Sequence, residues 1–285
     1  MVQKVENNWG RWGPEDQLGA LNLLTPEVVL DAVRLVRQGK VYSLAVPLER
    51  DGPQNPPFHK TWKVTHATLG PGASFLEDVV TMDTHSGTHI DGLSHSWTEG
   101  KFYNGYTLDQ VFQSGVVKGG IENVSSMVGR GVMLDVPAYR NTDHMGPGEI
   151  VTGKELDATA AHQGTEIKQG DIVLIRTGWY RVFHTDRSLW ESAVPGPDGK
   201  LVSWLREKDI CALGADQPSV EAKYTDRPDP SSLHVHALRD LGIYLLENLD
   251  LETLSRDRVY EFLFVGAPLP LTHASGTPWN PLAIV

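Results

Sequence analysis

The sequence predicts one mixed α/β domain, and three observations carry that expectation. Short apolar and β-branched runs recur along the whole chain. Capped helical segments are interspersed among them, and neither kind gathers at one end. A length of 285 residues, 40% hydrophobic and 21% charged, is globular composition with enough chain for one large core.

Each element has a local reason. An N-terminal extension of about 25 residues, with Trp9 and Trp12, precedes the first periodic segment. A helix is predicted over 26–36, with Thr25 as its cap, Pro26 as its first residue and Gly39 as its stop. A strand follows at 41–48, closed by a Pro/Gly-rich loop over 51–57. Strands at 62–69 and 76–83 flank Gly70-Pro71-Gly72, and further strands fall at 131–136, 171–176, 210–215, 242–247 and 260–265. Thr152-Gly153-Lys154-Glu155 matches a capping box opening a helix to about 162; 202–208 and 233–241 are shorter helices.

Composition removes several function classes. A net charge of −11 gives nucleic acid no broad attraction. The single Cys211 excludes an intrachain disulfide and a cysteine-based structural zinc site. No apolar run approaches the ~18 residues of a membrane span, and residues 1–10 lack the apolar core of a secretory signal. A cytoplasmic protein without membrane or nucleic-acid partners is expected. There is no P-loop, dinucleotide fingerprint or serine-nucleophile elbow.

Chemistry concentrates between residues 85 and 95. Of 11 histidines in the chain, three fall in this window, as His85, His89 and His95, together with Asp91. On an extended chain His85, Gly87, His89 and Asp91 share a face. Four extended residues nevertheless separate His85 from His89 by roughly 13 Å, too far for one ion, so the chain must bend, and Gly87 permits it. Two imidazoles and a carboxylate without thiolate suit a catalytic divalent metal with a position left for water, which the ion acidifies to a hydroxide nucleophile. His95 would stand near that water and transfer protons. Asp216-Gln217 ends one apolar strand, and Glu247 ends another, where a buried carboxylate needs a cation or donors. His234 and His236 lie just before that strand. The tryptophans supply aromatic surface for a pocket.

His85-Ser86-Gly87-Thr88-His89-Ile90-Asp91 with His95 resembles the motif of the metal-dependent "cyclase" family, to which bacterial kynurenine formamidases and isatin hydrolases belong. The likeness continues through 100–105, 170–179, 245–249 and 267–269; Leu93 replaces the motif's proline. The resemblance implies a swivelling β/β/α fold, a mixed sheet with flanking helices, and a homo-oligomer (dimer or tetramer). It implies His85, His89 and Asp91 as metal ligands, His95 as the catalytic histidine and Glu247 as ligand of a second metal site, with His234 ahead of His236 as its companion. Gln217 falls where a polar residue lies near the metal. Trp97, Arg176 and Trp179 are the candidates for substrate binding. The expected activity is hydrolysis of a C–N bond in a small aromatic amide or cyclic amide; a lyase, true cyclase or lactone hydrolase is the alternative. One ion, manganese(II) or zinc(II), is expected rather than two, with Gln217 as a further oxygen donor. The aromatic extension is expected to be covered by an oligomer interface.

Overall fold

Four parallel strands form the centre of the protein, and antiparallel strands extend it on both sides. The computed structural model describes residues 7–53, 60–68, 72, 74–112, 115–223 and 232–285; the predicted loop over 51–57 lies partly, and the turn at Gly70-Pro71 wholly, outside them. The strands are β1 (Val41–Ser43), β2 (Lys60–Thr68), β3 (Ser74–Met82), β4 (His89–Asp91), β5 (Met127–Asp135), β6 (Ile172–Arg176), β7 (Ala212–Ala215), β8 (Tyr244–Glu247), β9 (Glu261–Gly266), β10 (Gly276–Pro278) and β11 (Leu282–Ile284). Among the described residues, nine of them make one sheet in the order β1-β11-β9-β5-β6-β7-β8-β4-β10, and β2 and β3 pair separately. β5 through β8 are mutually parallel; the other pairings are antiparallel. This is the mixed sheet with flanking helices that the sequence predicts. β6, β7 and β8 are buried along their whole length, as expected for parallel strands covered on both faces.

Elements with local signals sit close to their predicted places. Thr25 caps the helix Pro26–Val33, and Thr152 caps Gly153–His162 by accepting the Glu155 amide at 3.3 Å. The helix Val202–Lys208 matches its predicted span. The segment predicted as a helix over 233–241 is a wider-wound π-helix, Val235–Leu241, with His234 at its N-cap. The predicted strand 41–48 stops at Ser43, because the Val46 amide donates to Thr88 Oγ1 at 2.8 Å instead of to a ladder.

The reason given for an oligomer interface over the N-terminal extension does not hold. Trp9 and Trp12 pack against this chain's own core. Trp9 Nε1 donates to the Arg239 carbonyl at 2.7 Å, with the Arg239 guanidinium over its ring. Among the described residues, no helix is long and apolar enough to cross a membrane.

Candidate metal centre

The ends of the parallel strands position the site. In open α/β sheets the carboxyl ends of the strands gather ligand-binding groups, and Glu247 is the last residue of β8. Antiparallel pairing sets His89 of β4 opposite Glu247 and Asp91 opposite Gly276 of β10. Strand alternation then brings only His89 and Asp91 to one face. The predicted shared face does not extend to His85, which arrives through a turn. Gly87 takes φ +60°, and the His85 and His89 ring centroids come within 5.2 Å. The bend that ligand geometry demanded is present, at the glycine that permits it. A Cβ on Gly87 would also stand 2.6 Å from Leu48 Cδ2.

Two groups of ligand-type atoms share one residue. His85, His89 and Asp91 form the first; Asp91, His234 and Glu247 form the second; within each, the nitrogen and oxygen atoms lie within 4.8 Å of one another. Asp91 Oδ1 faces His85 Nδ1 at 2.7 Å and His89 Nε2 at 3.5 Å. Asp91 Oδ2 faces His234 Nε2 at 3.8 Å and, among the described residues, has no hydrogen-bond partner despite complete burial. Glu247 reaches His89 Nε2 through one oxygen at 3.3 Å and His234 Nε2 through the other at 3.1 Å.

The outward ring nitrogens are spoken for, which leaves the inner ones for a ligand. His89 Nδ1 donates to the Gly87 carbonyl at 2.9 Å, and His234 Nδ1 lies 2.6 Å from Glu221 Oε1. A ring nitrogen that donates outward fixes its partner as the coordinating atom. His236 does not face this cluster; its Nδ1 pairs with Asp240 at 2.8 Å.

Electrostatics inside the cluster favour positive charge. Burial works against the Asp91 carboxylate, but His95, His85 and His89 hold its pKa far below the usual carboxylate range. Burial and Asp91 oppose ionisation of Glu247, and His234 and His89 outweigh them, leaving its pKa at about 2. Burial also opposes charge on His89 and His234, yet Glu247 with Asp91, and Glu221 with Glu247, raise them to about 9 and about 10. Two buried carboxylates are thus kept ionised, and in the absence of other cations protons on the imidazoles balance them. An orphaned buried carboxylate oxygen beside nitrogen and oxygen donors fits zinc(II) or manganese(II).

His95 stacks on His85 with ring centroids 4.0 Å apart, and its centroid is 6.3 Å from that of His234. Burial first, then His85 and His234, lower its pKa to about 3 against the pull of Asp91, so its imidazole is neutral at ordinary pH.

The remaining sequence candidates divide. Gln217 is hydrogen-bonded within the scaffold: Oε1 accepts from the Ser219 amide at 2.6 Å and lies 3.2 Å from its hydroxyl, and Nε2 donates to the Pro195 carbonyl at 3.1 Å. Arg176 is buried, and its guanidinium is held by Asp135 at 2.9 Å and by both oxygens of Glu252 at 2.8 and 3.0 Å. Those pairs bind the ends of β5 and β6 to the helix Glu252–Asp257. Trp179 is part of a buried cluster with Val182, Trp190 and Val194. Trp97 is 43% exposed, two residues beyond His95.

Sequence reasoning missed three contributors. Glu221 pairs with His234, Ser275 Oγ lies 3.1 Å from His85 Nε2, and Gly276 leaves room for the His85 ring. Glu221 is a polar residue shortly after a buried strand end; Ser275 and Gly276 sit in a segment without periodicity.

Known proteins resemble both the chain and its fold. The family model described as Cyclase matches residues 42–222. A kynurenine formamidase of Geobacillus thermodenitrificans is 27% identical over 202 residues, which span 70% of this chain and 75% of that protein. An isatin hydrolase of Roseibium aggregatum is 24% identical over 222 residues, spanning 75% and 76%. A crystal structure described as a novel cyclase superposes with a TM-score of 0.89 at 33% identity, covering 99% of this chain and 100% of that one.

Proposed function

The chain belongs to the cyclase family, and from that premise we propose a metal-dependent hydrolase of a C–N bond in a small amide or cyclic amide. The observation that carries the reading is Asp91: its two oxygens face two different donor groups, and among the described residues Oδ2 has no hydrogen-bond partner. We infer two ions, with His85, His89 and Asp91 holding one and Asp91, His234 and Glu247 the other. The single-ion expectation leaned in part on an oxygen from Gln217, and that oxygen accepts the Ser219 amide. Relatives with the names kynurenine formamidase and isatin hydrolase support an amide as the bond broken.

Bound divalent ions supply Lewis acidity to a carbonyl and lower the pKa of water. The chain's own residues do the rest. His85, His89 and His234 hold their rings in register through outward hydrogen bonds and the turn at Gly87. Neutral His95 accepts a proton from the attacking water and returns it to the leaving nitrogen, so the C–N bond breaks to a carboxylate and an amine. Exposed Trp97 and Leu48, the latter against Gly87, offer apolar surface beside the site for an aromatic group.

The test uses zinc- or manganese-reloaded protein with aryl formamides, cyclic aryl amides and lactones in oxygen-18 water. Label in the carboxylate product of an amide, lost with chelator, is the expected result. Turnover without label points to a lyase, and lactone-only turnover overturns the C–N assignment.

A further inference from the structure

We propose that Glu221 is the positioning residue of the second ion: it clamps the start of the π-helix and orients His234, and it is itself held by a braced, strained turn. The proposal rests on the two-ion reading above.

Glu221 uses both carboxylate oxygens on consecutive residues. Oε2 accepts the Leu233 amide at 2.7 Å, and Oε1 lies 2.6 Å from His234 Nδ1. The first contact fixes the backbone immediately before His234, and the second fixes its ring. An acceptor-only carboxylate at that distance requires a proton on Nδ1, which turns Nε2 toward Asp91 and Glu247. Two contacts from one rigid group therefore set the position, the rotation and the tautomer of the imidazole.

The turn that presents Glu221 is built for one conformation. Val220, fully buried, has φ +54°, a region that β-branched residues occupy only when their surroundings compel it. The surroundings do so here. Gln217 Oε1 accepts the Ser219 amide, the Ser219 hydroxyl donates to the Glu221 carbonyl at 2.7 Å, and the Glu221 amide donates back to Ser219. Gln217 Nε2 anchors the assembly to Pro195, and its carbonyl accepts the Asn248 amide at 3.0 Å, next to Glu247. Gln217 thus reaches the site through Glu221 and Asn248, not as a ligand. Strain at a single buried residue, overdetermined by hydrogen bonds, is what a side chain that must point one way calls for.

The experiment titrates chelator-stripped protein with zinc by calorimetry, comparing wild type, Glu221→Ala, Glu221→Gln and His234→Ala. Imidazole nitrogen NMR of the zinc-loaded proteins reads the His234 tautomer. Wild type is expected to take up two equivalents. Glu221→Ala is expected to weaken one of them by about 10- to 100-fold, leave the other unchanged, and lose the hydrogen-bonded Nδ1–H signal. Glu221→Gln keeps size and fold but offers one acceptor oxygen to two donors, so it weakens the same ion if the alanine variant fails to fold. Two equivalents at wild-type affinity in both variants, with the Nδ1–H signal intact, overturn the role of Glu221 alone. One equivalent in both wild type and His234→Ala overturns the two-ion reading and this proposal with it.

Discussion

Gly276→Ala is the smallest change that tests the first ligand group. Gly276 does not occupy the left-handed region, so alanine suits its backbone, and the effect is purely steric. The added Cβ would stand 2.5 Å from His85 Cε1, 2.9 Å from His85 Nε2 and 2.8 Å from the Ile90 carbonyl. The carbonyl cannot retreat, because Ile90 pairs within the sheet with Thr277 on one side and Leu246 on the other. The ring must move by about 1 Å to restore an ordinary ~3.5 Å contact, twice the ~0.5 Å that a working site tolerates. It has little freedom, being stacked 4.0 Å from His95 and 2.7 Å from Asp91. Overpacking of this kind costs about 1–3 kcal/mol, which is about 5- to 150-fold in the affinity of the ion that His85 holds. A competitive titration with a chelating dye measures it, with circular dichroism as the check on fold. One ion weakened and the other unchanged is the expected outcome. Wild-type affinity for both would show that the His85 ring does not coordinate.

Three further outcomes follow from the same geometry. His95→Gln is expected to keep its metal and lose about 10²- to 10⁴-fold in kcat; metal content and steady-state rates decide, and an unchanged kcat removes His95 from proton transfer. Metal loading is expected to strengthen with pH, since His89 and His234 hold protons up to about 9 and about 10 without metal and each ion must displace them. A chelator concentration for half-stripping that is flat between about pH 6 and 8 would contradict this. By the same pKa values, these imidazoles stabilise the metal-free fold fully below their ordinary 6.5, and that contribution is lost as pH rises through about 9 to 10. The melting temperature of stripped protein should fall over that range. Arg176→Leu leaves buried Asp135 and half-buried Glu252 without their cation and is expected to cost about 3–5 kcal/mol in urea unfolding with KM unchanged. A raised KM at wild-type stability would restore a role in substrate binding.

The first ligand group is legible in the sequence because its three residues lie within one turn and one short strand. Ligand geometry alone required the bend at Gly87. Glu247 is legible because a carboxylate closing an apolar strand needs a partner. The choice between His234 and His236 is not, since both sit at the start of a helix whose winding is set by tertiary contacts. Glu221 escapes sequence reasoning because it meets His234 across 13 positions, through a turn whose Val220 no propensity would place at positive φ. Gln217 draws attention because strand ends in α/β folds often carry function, yet its amide is hydrogen-bonded to Ser219 and Pro195 within the scaffold. β4, β10 and β11 have three residues each, too few for a pattern, and exist only through the neighbours they pair with.

The central claim, a hydrolytic site in which Asp91 serves two ions, is tested most directly by titrating stripped protein with zinc or manganese while following amide hydrolysis. Activity that rises to a plateau at two equivalents per chain in wild type, with Glu247→Gln binding one and losing activity, is the expected result. A plateau at one equivalent, with Glu247→Gln retaining most of its activity, would contradict it.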